Sequence, residues 1–193
     1  MKHIPTPSTT EVENYLQKLC YEPSLKNDRN KEGIVVKLFR ETCPNNTRKD
    51  EILLKVQILN LLYNTAIINT FAVAEHIYGL KDVDALLQKG DVGVVDKIAR
   101  VTIKEKSRRF YSFATKYCCH HNPSQYPIFD NLVSKVLIHF NKQDHFCDFK
   151  TDDLKDYGKF KNVIIAFRKY HDLEQYSFRE LDWYLWLLGK EFF

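Results

Sequence analysis

The sequence predicts an all-α protein. Of its 193 residues, 44% are apolar and 13% aromatic, which is enough to build a sizeable core. Apolar side chains recur mostly at the three- to four-residue spacing of helices, and few windows show the alternation that strands require. Only six glycines and six prolines interrupt these windows. We therefore expect one compact unit, residues 1–193, built almost entirely from helices.

The first part of the chain predicts two helices separated by a polar segment. A capping box, Ser8 with Glu11 three residues later, marks the start of the first helix, which ends near Cys20. Residues 22–33 are predicted to be a polar connection. A short helix around residues 33–42 then stops before a loop that contains a proline and paired asparagines.

The middle of the chain is the most strongly helical part. Residues 50–65 are apolar around most of the helix circumference, which predicts a buried central helix. Residues 66–80 continue this helix or restart after Asn64. A short helix over residues 82–89 ends at a glycine, and residues 92–106 predict another helix.

Four helices are expected towards the C-terminus. Two of them flank residues 121–127, where two prolines bracket a polar turn, and a third covers residues 160–171. The last helix begins after a second capping box, Ser177 with Glu180. It carries two tryptophans on one face, which we expect to pack in the core as anchors. These are Trp183 and Trp186.

The composition favours a soluble, cytoplasmic protein. The first residues lack the apolar run of a secretory signal, and no stretch reaches the roughly eighteen apolar residues of a membrane span. Five cysteines, an odd number, are scattered along the chain, which suits reduced thiols better than a disulfide framework. We expect no contact with membranes and a monomeric state.

Positive charge is concentrated in one segment. The formal net charge of +4 is mildly basic and permits a nucleic-acid partner without requiring one. Residues 97–109, however, hold six basic residues against the single acidic Glu105. Two interpretations are open: a surface that binds phosphates, or a solvated helix face whose long side chains lie over apolar neighbours.

Motifs for metal, cofactor or hydrolase chemistry are missing from the sequence. The run Cys118, Cys119, His120 and His121 contains zinc ligand types. Consecutive helical residues point about 100° apart, however, so the four cannot all face one ion. No paired Cys-x-x-Cys spacing, P-loop or nucleophile elbow occurs. We expect no metal and no cofactor.

A longer motif spans residues 112–137, with the pattern S-x-A-x(12)-[YF]-P-I-x-D-x-x-V-x-[KR]-V-L. The matching residues are Ser112, Ala114, Tyr126, Pro127, Ile128, Asp130, Val133, Lys135, Val136 and Leu137. The motif resembles the helix-hairpin-helix DNA glycosylase superfamily and is closest in spacing to its adenine-specific mismatch branch. The resemblance implies a glycosylase-like helical core over residues 50–140, with additional helices in residues 1–49 and 141–193.

The resemblance implies base excision repair on a flipped base. In such enzymes the N-glycosidic bond breaks through a sugar cation that a carboxylate stabilises, and Asp130 stands at the position of that carboxylate. Ser112 stands where the lyase branch has its attacking lysine, so a monofunctional glycosylase without Schiff-base chemistry is expected. Lys116, one turn later, is a candidate for contacting sugar or phosphate, or else a plain surface lysine.

The resemblance also implies residues that hold DNA. Family members offer hairpin glycine amides to a phosphate, whereas here the corresponding residues are bulky and arginine side chains would take over that role. The predicted DNA-binding residues are Lys104, Lys106, Arg108, Arg109 and Lys116. The predicted base pocket comprises Tyr63, Asn64 and Tyr126. The acid that protonates adenine in the mismatch branch has no counterpart at the place where the resemblance would put it, near Tyr63 and Asn64, and Glu51 lies too far upstream for that role.

Alternatives remain for both the site and the function. Asp130 follows a proline-containing turn and precedes an apolar helix, so it is also typical of a helix N-cap, a role compatible with catalysis. The first prediction is a glycosylase-like protein that acts on duplex DNA. The alternatives are a non-catalytic module of the same fold that binds nucleic acid or protein, and a helical scaffold without such activity.

Overall fold

Helices dominate the structure. The computed structural model describes residues 4–193; Met1 to His3, which belong to the segment predicted to lack a secretory signal, lie outside the described residues. The described part contains ten α-helices and one antiparallel pair of strands, so the predicted all-α class is confirmed at this level. The helices are α1 Thr9–Tyr21, α2 Lys26–Lys37, α3 Lys49–Tyr63, α4 Thr70–Tyr78, α5 Val83–Lys89, α6 Gly93–Ala99, α7 Tyr111–His121, α8 Asn131–Asp144, α9 Tyr157–Tyr170 and α10 Phe178–Phe192. The strands are β1 Arg100–Ile103 and β2 Lys106–Arg109.

The described chain divides into two compact units. The terminal unit contains the residues up to Arg29 together with Pro127–Phe193, and the central unit is Asn30–Tyr126. Each unit has its own buried apolar residues. The predicted arrangement around a core at residues 50–140 stays a prediction.

In the terminal unit, α10 packs against both α1 and α8. Its buried face includes Leu181, Leu185 and Leu188, at the three- and four-residue spacing of an amphipathic helix. Gly189 allows α10 to approach α8 closely, because a Cβ at this position would lie 2.7 Å from Cβ of Leu132.

Both predicted capping boxes mark the start of a helix, but the hydrogen bonds that they form differ. Ser8 accepts a hydrogen bond from the backbone N–H of Glu11 at 3.3 Å, directly before α1. Ser177 and Glu180 form a complete capping box at the start of α10. Both helix starts are therefore confirmed, since side-chain oxygens satisfy amides that lack a partner within the helix.

The two tryptophans of α10 are less buried than predicted. Trp183 and Trp186 are only half-buried, and their rings meet edge to face with centroids 5.5 Å apart. The guanidinium of Arg179 lies 4.4 Å from the Trp183 ring, and Nζ of Lys190 lies 4.3 Å from the Trp186 ring. The prediction of core anchors is thus wrong in part, because cationic side chains cover these rings.

In the central unit, α3 packs against α4 and α7. Ile52, Val56 and Leu59 on its inner face are completely buried. The expectation of burial on nearly all sides is wrong for the outer face, where Leu54 and Leu61 are 41% and 72% exposed. The neighbouring helices cover one side of α3 only.

The connection between α3 and α4 shows whether residues 66–80 continue α3 or restart after Asn64. Asn64 adopts the left-handed conformation, with φ 50°, that commonly ends a helix. A new helix then begins at Thr70. Residues 66–80 therefore restart after Asn64 and do not continue α3.

Residues 22–33, predicted to be a polar connection, are largely helical. Pro23–Leu25 forms a 3-10 turn, and α2 begins directly after it at Lys26. Proline fits the first turn of a helix, and the long polar side chains that follow have adequate helix propensity. Hydrophobic periodicity does not detect a helix of this kind, because few of its residues are apolar.

Residues 92–106, predicted to be one helix, contain α6 and most of a β-hairpin. After Ala99 the chain enters β1, whose last three residues are β-branched and favour a strand. Lys104 and Glu105 form the turn with φ 47° and 64°, so both central residues are left-handed, as a type I′ turn requires. The asparagine and glycine that usually signal this turn are absent, which is why the hairpin was not predicted.

Two features of the structure concern the predictions of reduced thiols and of no membrane span: the surroundings of the cysteines and the lengths of the helices. No disulfide joins any of the five cysteines, all of which lie within residues 4–193, and Cys43, Cys118 and Cys119 are buried. Burial raises the pKa of the Cys118 thiol well above its usual value. From Ile4 to Phe193, no helix combines the length and the apolar content that a bilayer crossing needs.

Candidate nucleic-acid interface

The hairpin presents basic side chains on one face. Its register pairs Val101 with Arg108 and Ile103 with Lys106. Paired residues of an antiparallel ladder point to the same side, so the two cations share a face with two apolar side chains. Val101 is buried and anchors this face, whereas Lys106 and Arg108 are exposed. Both cations therefore project from a fixed backbone.

A groove of about 560 Å³ lies between the hairpin and the loop that joins α3 to α4; we call it the hairpin groove. It is lined by Ala66, Ile68, Asn69, Ile103, Lys104, Lys106, Arg108 and Phe110. Three residues that the sequence predicts to bind nucleic acid thus meet at one place. The apolar members of the lining were not predicted.

The cations of the hairpin groove are not neutralised by ion pairs with the part of the chain that the structure describes. Lys104, Lys106 and Arg108 form no salt bridge with any residue between Ile4 and Phe193. The single acidic residue of the hairpin is Glu105 at the turn. The groove therefore offers net positive charge to an anionic ligand.

Arg109 lies on the other face of β2, away from the hairpin groove. Its Nε donates to Oδ1 of Asp96 at 2.8 Å, and its guanidinium lies 4.3 Å from the centroid of the Tyr111 ring. Asp96 also accepts from Arg100. Burial acts to raise the pKa of Asp96, but the two guanidinium groups outweigh it and lower that pKa. The predicted role of Arg109 in binding nucleic acid stays a prediction.

Asn60 holds the loop that forms the other side of the groove. Its Oδ1 accepts from the backbone N–H of Ile67 and from the hydroxyl of Thr65, both at 2.9 Å, while its Nδ2 donates to the carbonyl of Ile67 at 2.9 Å. Ile67 is buried, whereas the next residue, Ile68, is 100% exposed. The loop therefore holds an apolar side chain out in solvent beside the cations.

A second polar cluster surrounds Tyr63 in the central unit. Its hydroxyl donates to Oε2 of Glu32 at 3.1 Å and lies 3.0 Å from Nε2 of His120. Nζ of Lys116 lies 5.7 Å from the Tyr63 ring and donates to Oγ of Ser112 at 2.7 Å. The structure thus brings together Tyr63, Ser112 and Lys116, all predicted site residues, around an acid that the sequence motif does not contain.

The two other residues of the predicted base pocket have different surroundings. Tyr126 is completely buried, and its hydroxyl lies 3.1 Å from the carbonyl oxygens of both Leu86 and Asp91. Asn64 is exposed at the end of α3. Neither residue lines the hairpin groove.

Asp130 caps α8 in the terminal unit. Its Oδ1 accepts a hydrogen bond from the backbone N–H of Leu132 at 2.9 Å, and its backbone carbonyl accepts from Ser134. The N-cap interpretation of Asp130 is therefore confirmed. Ser112, its predicted partner in the site, belongs to the central unit.

A buried lysine lies in the core of the central unit. Nζ of Lys55 donates to the carbonyl of Asn45 at 2.9 Å and to Oδ1 of Asn46 at 2.6 Å. Burial lowers the pKa of Lys55 from the usual 10.5 to about 8. Burial also holds the pKa of His121 well below its usual value, so its neutral Nε2 is an acceptor for Lys55 at 3.3 Å. This cluster joins α3 to α7.

The consecutive cysteines and histidines of α7 contact different parts of the central unit. Cys118 and Cys119 are buried, His120 meets Tyr63, and His121 meets Lys55. Across residues 4–193, no group of three or more histidine, cysteine or acidic side chains is placed to hold a metal ion. Their contacts are those of packing residues.

The chain belongs to a family defined by an N-terminal domain. The family described as HI_0787_N, N-terminal domain, matches residues 11–125, which is well over half of the chain. A protein of Haemophilus influenzae (strain ATCC 51907 / DSM 11121 / KW20 / Rd), described as an uncharacterized protein, is 49% identical over 144 residues, covering 75% of this chain and 69% of the relative. No solved structure matches the chain. The hairpin groove lies within the family match.

Proposed function

We propose that the protein binds duplex DNA through the hairpin groove and is a DNA-glycosylase-like protein. The observation that carries this proposal is the convergence of Lys104, Lys106 and Arg108 on one groove, without salt bridges to residues 4–193. A nucleic-acid backbone supplies closely spaced phosphates, which lysine and arginine bind by charge and by hydrogen bonds. The paired strands fix the backbone from which these cations project, so binding needs little ordering of the main chain.

Base excision without lyase activity is the proposed reaction, with Asp130 as the stabiliser of the sugar cation. The motif over residues 112–137 supports this assignment. Capping of α8 engages Oδ1 of Asp130, and an ionised carboxylate has about four acceptor positions in all. The cap therefore orients the side chain and is compatible with stabilising a developing positive charge.

Glu32 supplies an acid for the proposed base pocket. Departure of a base is easier when a general acid protonates it, and carboxylic acids and imidazoles commonly serve this purpose. Glu32 and His120 both contact the hydroxyl of Tyr63, a residue of the proposed pocket. We assign the acid to this cluster, and Ser112, hydrogen-bonded to Lys116, to the position of the absent lyase lysine.

DNA binding is tested by fluorescence anisotropy with a labelled duplex at several salt concentrations. The double variant Lys106→Ala and Arg108→Ala is expected to bind at least tenfold more weakly, and its salt slope should fall by about two, one for each lost phosphate contact. The matched control replaces Lys81 and Lys89, exposed lysines of the same unit outside the groove. Equal losses in the two double variants would contradict the proposed interface.

Base excision is tested with a panel of mismatched and damaged duplexes, in which released bases leave abasic sites that alkali cleaves. Asp130→Asn keeps an N-capping side chain but removes the charge, so it should retain the fold and the DNA affinity while losing base release. Base release equal to that of the wild type would eliminate Asp130 as the stabiliser. If the wild type releases no base from the panel, the enzymatic part of the proposal fails and the binding part stands.

A second candidate function is a protein-interaction module. The helices α3 and α4 expose large apolar side chains, among them Leu61 at 72% and Phe71 at 65%. Large exposed apolar side chains are typical of protein-binding sites where they form one patch. Leu61→Ser and Phe71→Ser together should leave DNA affinity unchanged under the first proposal.

A further inference from the structure

We infer that the hairpin groove binds unpaired nucleotides, so that the preferred ligand is DNA with a single-stranded or unpaired stretch. This inference rests on the proposed function and specifies the form of DNA that the groove holds. Besides Ala66 and Asn69, the lining of the groove combines three cations with three large apolar side chains. The apolar side chains are Ile68, Ile103 and Phe110.

The two kinds of side chain need different parts of a nucleic acid. Lys104, Lys106 and Arg108 suit phosphates. The apolar side chains gain free energy only against apolar surface, and a paired duplex turns its phosphates and sugars outward while its bases stay stacked. An unpaired stretch exposes base faces together with phosphates, and apolar or aromatic side chains bind such faces with little dependence on sequence.

The position of Ile68 gives the strongest support for a binding surface at the groove. Ile68 is 100% exposed, although burial of an isoleucine side chain stabilises a folded protein. Ala66, two residues before Ile68, has φ 56°, a left-handed conformation that is unfavourable for a residue with a Cβ. The hydrogen bonds of Asn60 hold the loop in this form. The protein thus keeps an apolar side chain displayed at the groove at a cost in stability, which is typical of a binding surface.

The size of the groove fits a short unpaired segment. Its volume of about 560 Å³ lies within the range of roughly 300–1,000 Å³ that is usual for sites of small organic ligands. One or two unpaired nucleotides fill such a space, whereas a paired duplex meets the groove with its phosphates alone. The apolar lining and the volume of the groove therefore both favour bases that have left the stack.

The test compares one labelled DNA sequence as a single strand, as a fully paired duplex and as a duplex with a central unpaired bubble, by fluorescence anisotropy. The wild type should bind the single strand and the bubble about tenfold more tightly than the paired duplex, which corresponds to about 1.4 kcal/mol. Ile68→Ser should remove most of this preference, and Ile68→Phe should keep it, since phenylalanine also offers an apolar face.

Leu61→Ser is the matched control, because Leu61 is exposed in the same unit and does not line the groove. It should leave all three affinities within about twofold of the wild type. The inference is overturned if the wild type binds the paired duplex as tightly as the bubble, or if Ile68→Ser weakens all three forms equally. In both cases the duplex-binding proposal survives. If the wild type binds none of the three DNA forms, the proposed function itself is refuted.

Discussion

Nζ of Lys55 lies 2.6 Å from Oδ1 of Asn46, and both side chains are buried in the core of the central unit. Asn46 also binds the carboxylate of Asp84 through its backbone N–H at 2.9 Å and through Nδ2 at 2.6 Å, and it accepts from the hydroxyl of Tyr117. One asparagine thus separates a buried amine from a carboxylate and satisfies both. This arrangement connects the loop before α3 with α5 and α7.

Asn46→Ala is expected to destabilise the protein by about 3 kcal/mol, since it removes the side-chain hydrogen bonds that Asn46 makes with the buried Lys55 and Tyr117 and with Asp84. Denaturant unfolding measures the change. Asn45→Ala is the control: the side chain of Asn45 is exposed and only its backbone carbonyl accepts from Lys55. The control should change the free energy of unfolding by less than about 0.5 kcal/mol. A similar loss in both variants would contradict the importance of the Asn46 side chain.

The stability of the protein should depend on the protonation of Lys55. Its pKa is about 8 in the folded protein and 10.5 when unperturbed, so between these values the unfolded chain binds more protons. The free energy of unfolding therefore rises as pH increases from 8 to 10.5, by about 3 kcal/mol in total. The same amount is lost as pH falls back through this window.

Lys55→Met removes this effect, and groups that do not interact with Lys55 titrate equally in both proteins; the charge of Lys55 acts on the pKa values of Cys43 and His121. Between pH 7.5 and 9.5, the wild type should gain about 2 kcal/mol in free energy of unfolding relative to the variant. Urea unfolding at the two pH values gives this difference. Parallel pH profiles for the two proteins would show that Lys55 titrates normally.

Asn60→Ala should loosen the loop beside the hairpin groove without unfolding the helices. The amide of Ile67 loses its acceptor, so its hydrogen exchange should accelerate about tenfold, as expected for the loss of roughly 1–1.5 kcal/mol. The amide of Gly79, bonded to the carbonyl of Glu75 in α4, is the internal reference and should be unchanged. Equal acceleration at both amides would point to a global loss of stability.

Two glycine-to-alanine substitutions should change the free energy of unfolding in opposite directions. At Gly189 the added Cβ would lie 2.7 Å from Cβ of Leu132, so Gly189→Ala should destabilise the terminal unit by about 2 kcal/mol. At Gly33, within α2, the added Cβ meets nothing within 4 Å, and Gly33→Ala should stabilise by up to about 1 kcal/mol through helix propensity. Thermal unfolding of both variants tests the pair. Stabilisation by Gly189→Ala would contradict the close approach of α8 and α10.

Features that depend on neighbours along the chain could be predicted. The N-caps at Ser8, Asp130 and Ser177 follow from the ability of a side-chain oxygen to bind an amide two or three residues later. The amphipathic helices follow from the spacing of apolar residues. The β-hairpin could not be predicted in the same way, because the left-handed conformations of Lys104 and Glu105 have no signal in those residue types.

By itself, the sequence determined the helical class, the ends of most helices and the segment in which basic residues are concentrated, because propensity, capping and charge act over a few neighbouring residues. Only the tertiary structure decided that Ile67 is buried while Ile68 is exposed, that Glu32 meets Tyr63, and that the cations of the hairpin share a groove with the loop after α3. Burial and proximity between distant residues depend on which helix faces pack together, and the free energy of that packing is summed over the whole unit.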